Sequence, residues 1–126
     1  MKTLLAVTTL LFVSTNSHAA RQHHEKWYQE SWCSKAKGQT EIVQSDRTRV
    51  DCITQTHAIE FDFGNKWSEA IGQALGYAME TNKRAGVVLI LESPEDYKYW
   101  IKLNSIIDHY ELPIDTWKTG AFGDEY

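Results

Sequence analysis

The stretch that decides the fold runs from His57 to Trp67, HAIEFDFGNKW. In it Ile59, Phe61 and Phe63 alternate with Glu60 and Asp62, and Gly64 and Asn65 then break the run. Successive side chains of a strand point to opposite faces, so the three apolar groups share one face. Glu60 and Asp62 share the other, roughly 7 Å apart along the strand by its rise per residue. A short, strongly apolar strand that lines up two carboxylates raises the question of what those carboxylates face.

Two β-rich runs precede it. TEIVQ and RVDCIT, separated by the polar turn SDRT, read as a hairpin, and HAIEFDF follows after a short polar turn as a third strand. Asp51 sits mid-strand in RVDCIT, with Val50 and Cys52 pointing the other way. An antiparallel neighbour can bring Asp51 beside Glu60 and Asp62. Three carboxylates so placed repel one another unless a cation neutralises them or one holds a proton. Oxygen-only ligands of this type favour Mg²⁺, Mn²⁺ or Ca²⁺ over zinc.

The remaining elements fall into place around these strands. RQHHEKWYQESWCSKAKG predicts a helix from about His24 to Lys37, stopped by Gly38. KWSEAIGQALGYAMETNK predicts a second, on whose apolar face Trp67, Ile71, Ala74, Leu75, Ala78 and Met79 recur at helical spacing. AGVVLILE is a continuous apolar run of strand length, as expected of a strand covered on both sides. Ser93 caps a third helix, with Pro94 at its first position and Glu95 and Asp96 in its first turn, reaching about His109. LPIDTWKTG closes as a last strand. The order α, β, β, β, α, β, α, β makes an α/β domain, with a hairpin meander feeding a strand–helix–strand crossover into a mixed sheet flanked by helices. The five tryptophans, mostly on helices, read as core anchors.

The second helix carries a polar stripe as well. At 100° per residue Lys66, Gln73 and Tyr77 fall within about 40° of one another. Lys66 enters directly after the carboxylate strand, so its ammonium can reach back toward it. The plainer reading of Gln73 and Tyr77 alone is a solvated flank.

Residues 1–20 read as a signal peptide. Lys2 begins it, LLAVTTLLFV (Leu4 to Val13) is an apolar stretch too short to span a bilayer comfortably, and STNSHAA offers small residues for cleavage after Ala19 or Ala20. The mature chain, residues 21–126, is then one exported domain, periplasmic or secreted, with no membrane span. The whole chain has a formal charge of −4, and loss of Lys2 with the leader makes it −5. An acidic balance weakens nucleic acid as a partner, since phosphate binding needs local positive charge. Two cysteines in an exported chain predict one disulfide, Cys33 to Cys52, with buried free thiols as the alternative.

Taken together, Asp51, Glu60 and the Gln73–Tyr77 segment QALGY resemble the PD-(D/E)xK nuclease superfamily, and its RecB-type branch with a Q-x-x-x-Y helix motif in particular. The resemblance spans about Glu25 to Ile90 and implies a restriction-endonuclease-like αβββαβ core. It implies that Asp51 and Glu60, with Asp62, hold Mg²⁺ or Mn²⁺ and that Gln73 and Tyr77 position a substrate backbone. Glu30 on the first helix matches the additional acid that some members carry. Where the family has lysine, two residues after Glu60, this chain has Asp62; Lys66 fits a lysine that has migrated to the following helix. The activity implied is metal-assisted phosphodiester hydrolysis, with Asp51, Glu60, Asp62 and Lys66 as the catalytic set. The alternative is a degenerate nuclease fold that serves as a non-enzymatic binding module of the cell envelope.

Overall fold

The computed structural model describes residues 20–122. The predicted signal peptide lies outside the described residues, Ala20 excepted. The elements are α1 (Glu25–Lys35), β1 (Gln39–Val43), β2 (Arg49–Ile53), β3 (His57–Phe63), α2 (Trp67–Thr81), β4 (Arg84–Ile90), α3 (Tyr97–His109) and β5 (Ile114–Thr119), with one 3₁₀ turn before each of α2 and α3. All eight predicted elements are present in the predicted order.

The five strands form one sheet in the order β1-β2-β3-β4-β5. β1 pairs antiparallel with β2, and β2 with β3, whereas β3–β4 and β4–β5 are parallel. Strand β2 alone therefore runs against the other four. Each parallel pair is joined by a helix, as a parallel connection requires.

Side-chain alternation distributes the core between the two faces. Ile59, Phe61 and Val88 pack with Trp32, Cys33 and Cys52 beneath α1. On the opposite face Ala85, Val87, Leu89 and Leu91 meet Ala70 and Ala74 of α2 and Leu103 and Ile107 of α3. Strand β4 is buried from Ala85 to Ile90, as its unbroken apolar sequence predicts. Burying each large apolar side chain here contributes about 1.5–3 kcal/mol.

Cys33 and Cys52 form the predicted disulfide, tying α1 to β2. Gly38 does not end α1 as expected. The left-handed residue is Lys37, at φ 57°, and the helix closes through Gly38 N–H to the Cys33 carbonyl at 2.8 Å. What Gly38 supplies is room, since a Cβ there would lie 2.7 Å from both disulfide sulfurs. The apolar face of α2 holds except at Met79, which is 77% exposed. Only Trp32 of the five tryptophans is fully buried, and Trp27 is 52% exposed, so the core-anchor reading fails for Trp27. Among the described residues no helix is long and apolar enough to cross a membrane.

Candidate functional site

The β2–β3 ladder brings the acids together. Cys52 pairs with Ile59, which sets the preceding Asp51 opposite Glu60. An Asp51 carboxylate oxygen then accepts the Phe61 backbone N–H at 2.8 Å, a donor that an antiparallel ladder would otherwise use. The side chain thus takes over from the backbone where β2 and β3 part, and it is fixed beside the carboxylate strand.

Glu60 and Asp62 are only 4% and 6% exposed. Glu60 lies within hydrogen-bonding reach of Asp51 on one side and Asp62 on the other, and of the Tyr77 hydroxyl from α2. One oxygen of each, Glu60 Oε2 and Asp62 Oδ2, is buried with no donor to bond to. A buried acceptor crowded by other carboxylates is satisfied by a bridging proton, a water or a cation.

The electrostatics follow from this crowding. Burial, then the charge and hydrogen bonding of Asp51 and Asp62, push the Glu60 carboxyl up to about 11. Burial raises Asp62 to about 6, against the opposing effects of its bond to Glu60 and the charge of Lys66. Asp51 is also raised by burial, though its bonds to the Phe61 amide and to Glu60 hold it down, and Glu41 adds a further upward push. The Tyr77 hydroxyl is driven well above its ordinary range by burial and by the negative charge it faces. In this state the cluster retains a proton at neutral pH, centred on Glu60.

Of the predicted site residues, Asp51, Glu60, Asp62 and Tyr77 are brought together. Lys66 is exposed at the start of α2, and its charge acts on Asp62. Gln73, one turn before Tyr77, is exposed. Glu30 is not at the site: it points into solvent, 3.9 Å from Lys26 along the same helix. The acid that α1 does present is Glu25. Burial, followed by the charges of Asp51 and Asp62, raises it to about 7. It accepts a hydrogen bond at 2.9 Å from Gln29, itself buried.

Both residues escaped the sequence reading, yet a signal for them existed. Glu25, Gln29 and Cys33 recur every fourth residue, so they lie along one helix face. The disulfide turns that face toward β2, and a carboxylate two turns before Cys33 must come with it.

Three cations of the strands and their turns are already engaged. Arg49 pairs with Glu41 at 3.5 Å, Arg84 with Asp115 at 2.8 Å, and Lys83 donates to the Gln55 carbonyl at 2.9 Å. His57 has two polar partners. Its Nε2 lies 2.6 Å from the same Asp115, and its Nδ1 lies 2.7 Å from the Thr56 hydroxyl. Asp115 pairs with Gly86 in the β4–β5 register, and a Cβ at Gly86 would lie 2.8 Å from the Trp117 ring and 3.6 Å from His57 Cδ2. The missing side chain at Gly86 leaves the space across which His57 and Asp115 meet.

No family model, curated protein or solved structure matches the chain. The question of a metal therefore rests on the donors. Three carboxylates with two orphaned, buried oxygens are the donor chemistry of a hard divalent cation. Among the described residues, however, no three His, Cys, Asp or Glu side chains stand in the arrangement of a formed ion site. The donor set fits such an ion in kind, and the raised Glu60 carboxyl holds a proton in its absence.

Proposed function

We propose that the mature chain is an exported, metal-dependent phosphodiester hydrolase of the PD-(D/E)xK kind. The observation that carries this reading is the convergence of Asp51, Glu60 and Asp62 from two strands, with Tyr77 of the Q-x-x-x-Y segment facing Glu60 from α2. The αβββαβ element order, which the resemblance implied, supports it. The disulfide supports an oxidising compartment outside the cytoplasm.

In this reading Asp51, Glu60 and Asp62 would hold Mg²⁺ or Mn²⁺. The ion would supply a bound water of lowered pKa and a counter-charge for the phosphoryl oxygens. Glu60, which holds a proton in this state, would have to give it up to hold such an ion. Asp51 is held in place by the Phe61 amide. Lys66, exposed at the rim, stabilises negative charge that develops above Asp62. Tyr77 orients Glu60, and Gln73, one turn away and exposed, meets the substrate backbone.

The test is direct. The mature, oxidised protein is incubated with single- and double-stranded DNA and RNA and either Mg²⁺ or Mn²⁺, beside Asp51→Ala and Glu60→Ala. Cleavage that both substitutions abolish is expected. Cleavage unchanged in both variants, or none by the parent protein, would overturn the reading.

One observation favours a second reading, a nuclease fold that serves as a binding module. Asp62 occupies the family's lysine position, and Lys66 acts on Asp62 from an exposed site. Cation binding without cleavage of any of the four substrates would select it.

A further inference from the structure

The start of β3 carries a second set of polar side chains, on the face opposite Glu60 and Asp62. His57 shares the face of Ile59 and Phe61 by strand alternation. It lies five residues before Asp62, roughly 17 Å along the strand, so the two places are separate. Its Nε2 lies 2.6 Å from Asp115 Oδ2, and its Nδ1 lies 2.7 Å from the Thr56 hydroxyl. A carboxylate only accepts, so Nε2 carries the ring proton and Nδ1 is left to accept from Thr56. The Arg84 guanidinium holds the same Asp115 oxygen at 2.8 Å. Hydroxyl, imidazole and carboxylate thus form one chain of hydrogen bonds, in the order of a nucleophile, its base and the group that orients the base.

The turn before β3 does not need this chain. Thr54 closes it: its N–H donates to the His57 carbonyl at 2.9 Å, and its hydroxyl accepts the Thr56 and His57 amides at 3.3 and 3.0 Å. The exposed Thr56 side chain is directed to His57 instead. The pair opens on a cavity of about 450 Å³, whose wall also carries Trp32, Trp117, Lys37 and Gln55. That volume suits a small molecule. The indoles give it an apolar wall, with Trp117 edge-on to His57 at 5.2 Å. Lys37 and Gln55 are the donors available to negative charge on a carbonyl oxygen held there.

We propose that Thr56, His57 and Asp115 form a second site, which hydrolyses small carboxylic esters through transient acylation of Thr56. Thr56 Oγ1 bonds to the carbonyl carbon as its proton passes to His57 Nδ1. The adduct collapses, the bond from that carbon to the leaving oxygen breaks, and the departing alcohol takes the proton from His57. Water then attacks the acyl-threonine and gives a proton to Nδ1. Thr56 Oγ1 leaves with that proton as the carboxylic acid is released, so the sum is ester and water to acid and alcohol. Asp115 is the positioning residue: it fixes the tautomer and faces the imidazolium that forms at each step. The site needs no metal and does not depend on the nuclease reading.

The test is hydrolysis of p-nitrophenyl acetate by the mature, oxidised protein in EDTA, beside Thr56→Ala, Thr56→Ser and Asp115→Asn. Rapid acid quench and peptide mass mapping locate the acetyl group. The parent should turn over with the acetyl group on Thr56. Thr56→Ala should lower kcat by about 100-fold or more, and Thr56→Ser should keep the activity. Asp115→Asn should lower kcat to a similar degree with KM unchanged, a split that a merely structural role would not produce. Thr56 is exposed, so its variants should melt with the parent. Hydrolysis no faster than by free imidazole at the same concentration would overturn the proposal. So would an acetyl group found only on lysine or another residue, or a Thr56→Ala variant that keeps the parental rate. Chelation keeps this result apart from the nuclease reading, which stands or falls on added Mg²⁺ or Mn²⁺.

Discussion

The two faces of β3 are equally buried and chemically opposite. On one, Ile59 and Phe61 are at most 1% exposed and close on Trp32, Val88 and the disulfide. On the other, Glu60 and Asp62 are nearly as inaccessible, yet two of their oxygens have no donor. Burial contributes stability on the first face through removal of apolar surface from water. It costs stability on the second, since a carboxylate taken from water without a partner is penalised. A strand that is central for packing is thereby also the place where burial raises two carboxyls well above their ordinary values. Such an arrangement is characteristic of functional sites.

Substitutions on the two faces should therefore act in opposite directions. Phe61→Ala opens a cavity at a fully buried position and should cost about 3–5 kcal/mol in urea-induced unfolding. Replacing Cys33 and Cys52 together by serine frees a loop of 19 residues' separation and should cost about 3 kcal/mol. Glu60→Gln removes from the other face a group that must take up a proton on folding, and should stabilise the protein by about 1 kcal/mol or more at neutral pH. A large loss of stability in Glu60→Gln would erase the contrast between the faces.

Proton linkage sharpens the same comparison. In the unfolded chain these acids titrate at their ordinary values, 4.5 for glutamate and 3.8 for aspartate. In the folded state Asp62 rises to about 6, Glu25 to about 7 and Glu60 to about 11. The folded protein therefore binds more protons, and stability falls as pH rises. The contribution of these groups is complete below the unfolded values. It is lost first as Asp62 and Glu25 ionise and then progressively until Glu60 does. Unfolding at about pH 5 should need more urea than at about pH 9. Glu60→Gln should flatten the upper part of that slope, and Mn²⁺ should restore stability at the alkaline end. The smallest effect belongs to Glu30→Ala, whose exposed pair with Lys26 should be worth less than about 0.5 kcal/mol and should leave Mn²⁺ binding unchanged. Glu25→Gln should weaken Mn²⁺ binding by comparison.

Most of the sheet was legible because its strands differ in period. HAIEFDF alternates and RAGVVLI does not, which separates a two-sided strand from one covered by helices on both faces. Asp51, Glu60 and Asp62 were legible for the same reason, since alternation alone places them on one face and a hairpin brings them together. What the sequence hid was helix rotation and contact across distance. Glu30 and Glu25 are both plausible acids on α1, and only the disulfide fixes which one turns inward. His57 and Asp115 are separated in sequence by 58 residues, and they meet because Gly86 leaves space between their strands. Met79 fits the apolar period of α2, yet it faces solvent at 77% exposure.

The most direct test is calorimetric titration of Mn²⁺ into the mature, oxidised protein at neutral pH in two buffers of different ionisation enthalpy. The carboxylate account predicts saturable binding with release of about one proton per ion, and loss of both in Glu60→Gln. Absence of binding, or binding that leaves the protons in place and survives Glu60→Gln, would contradict it.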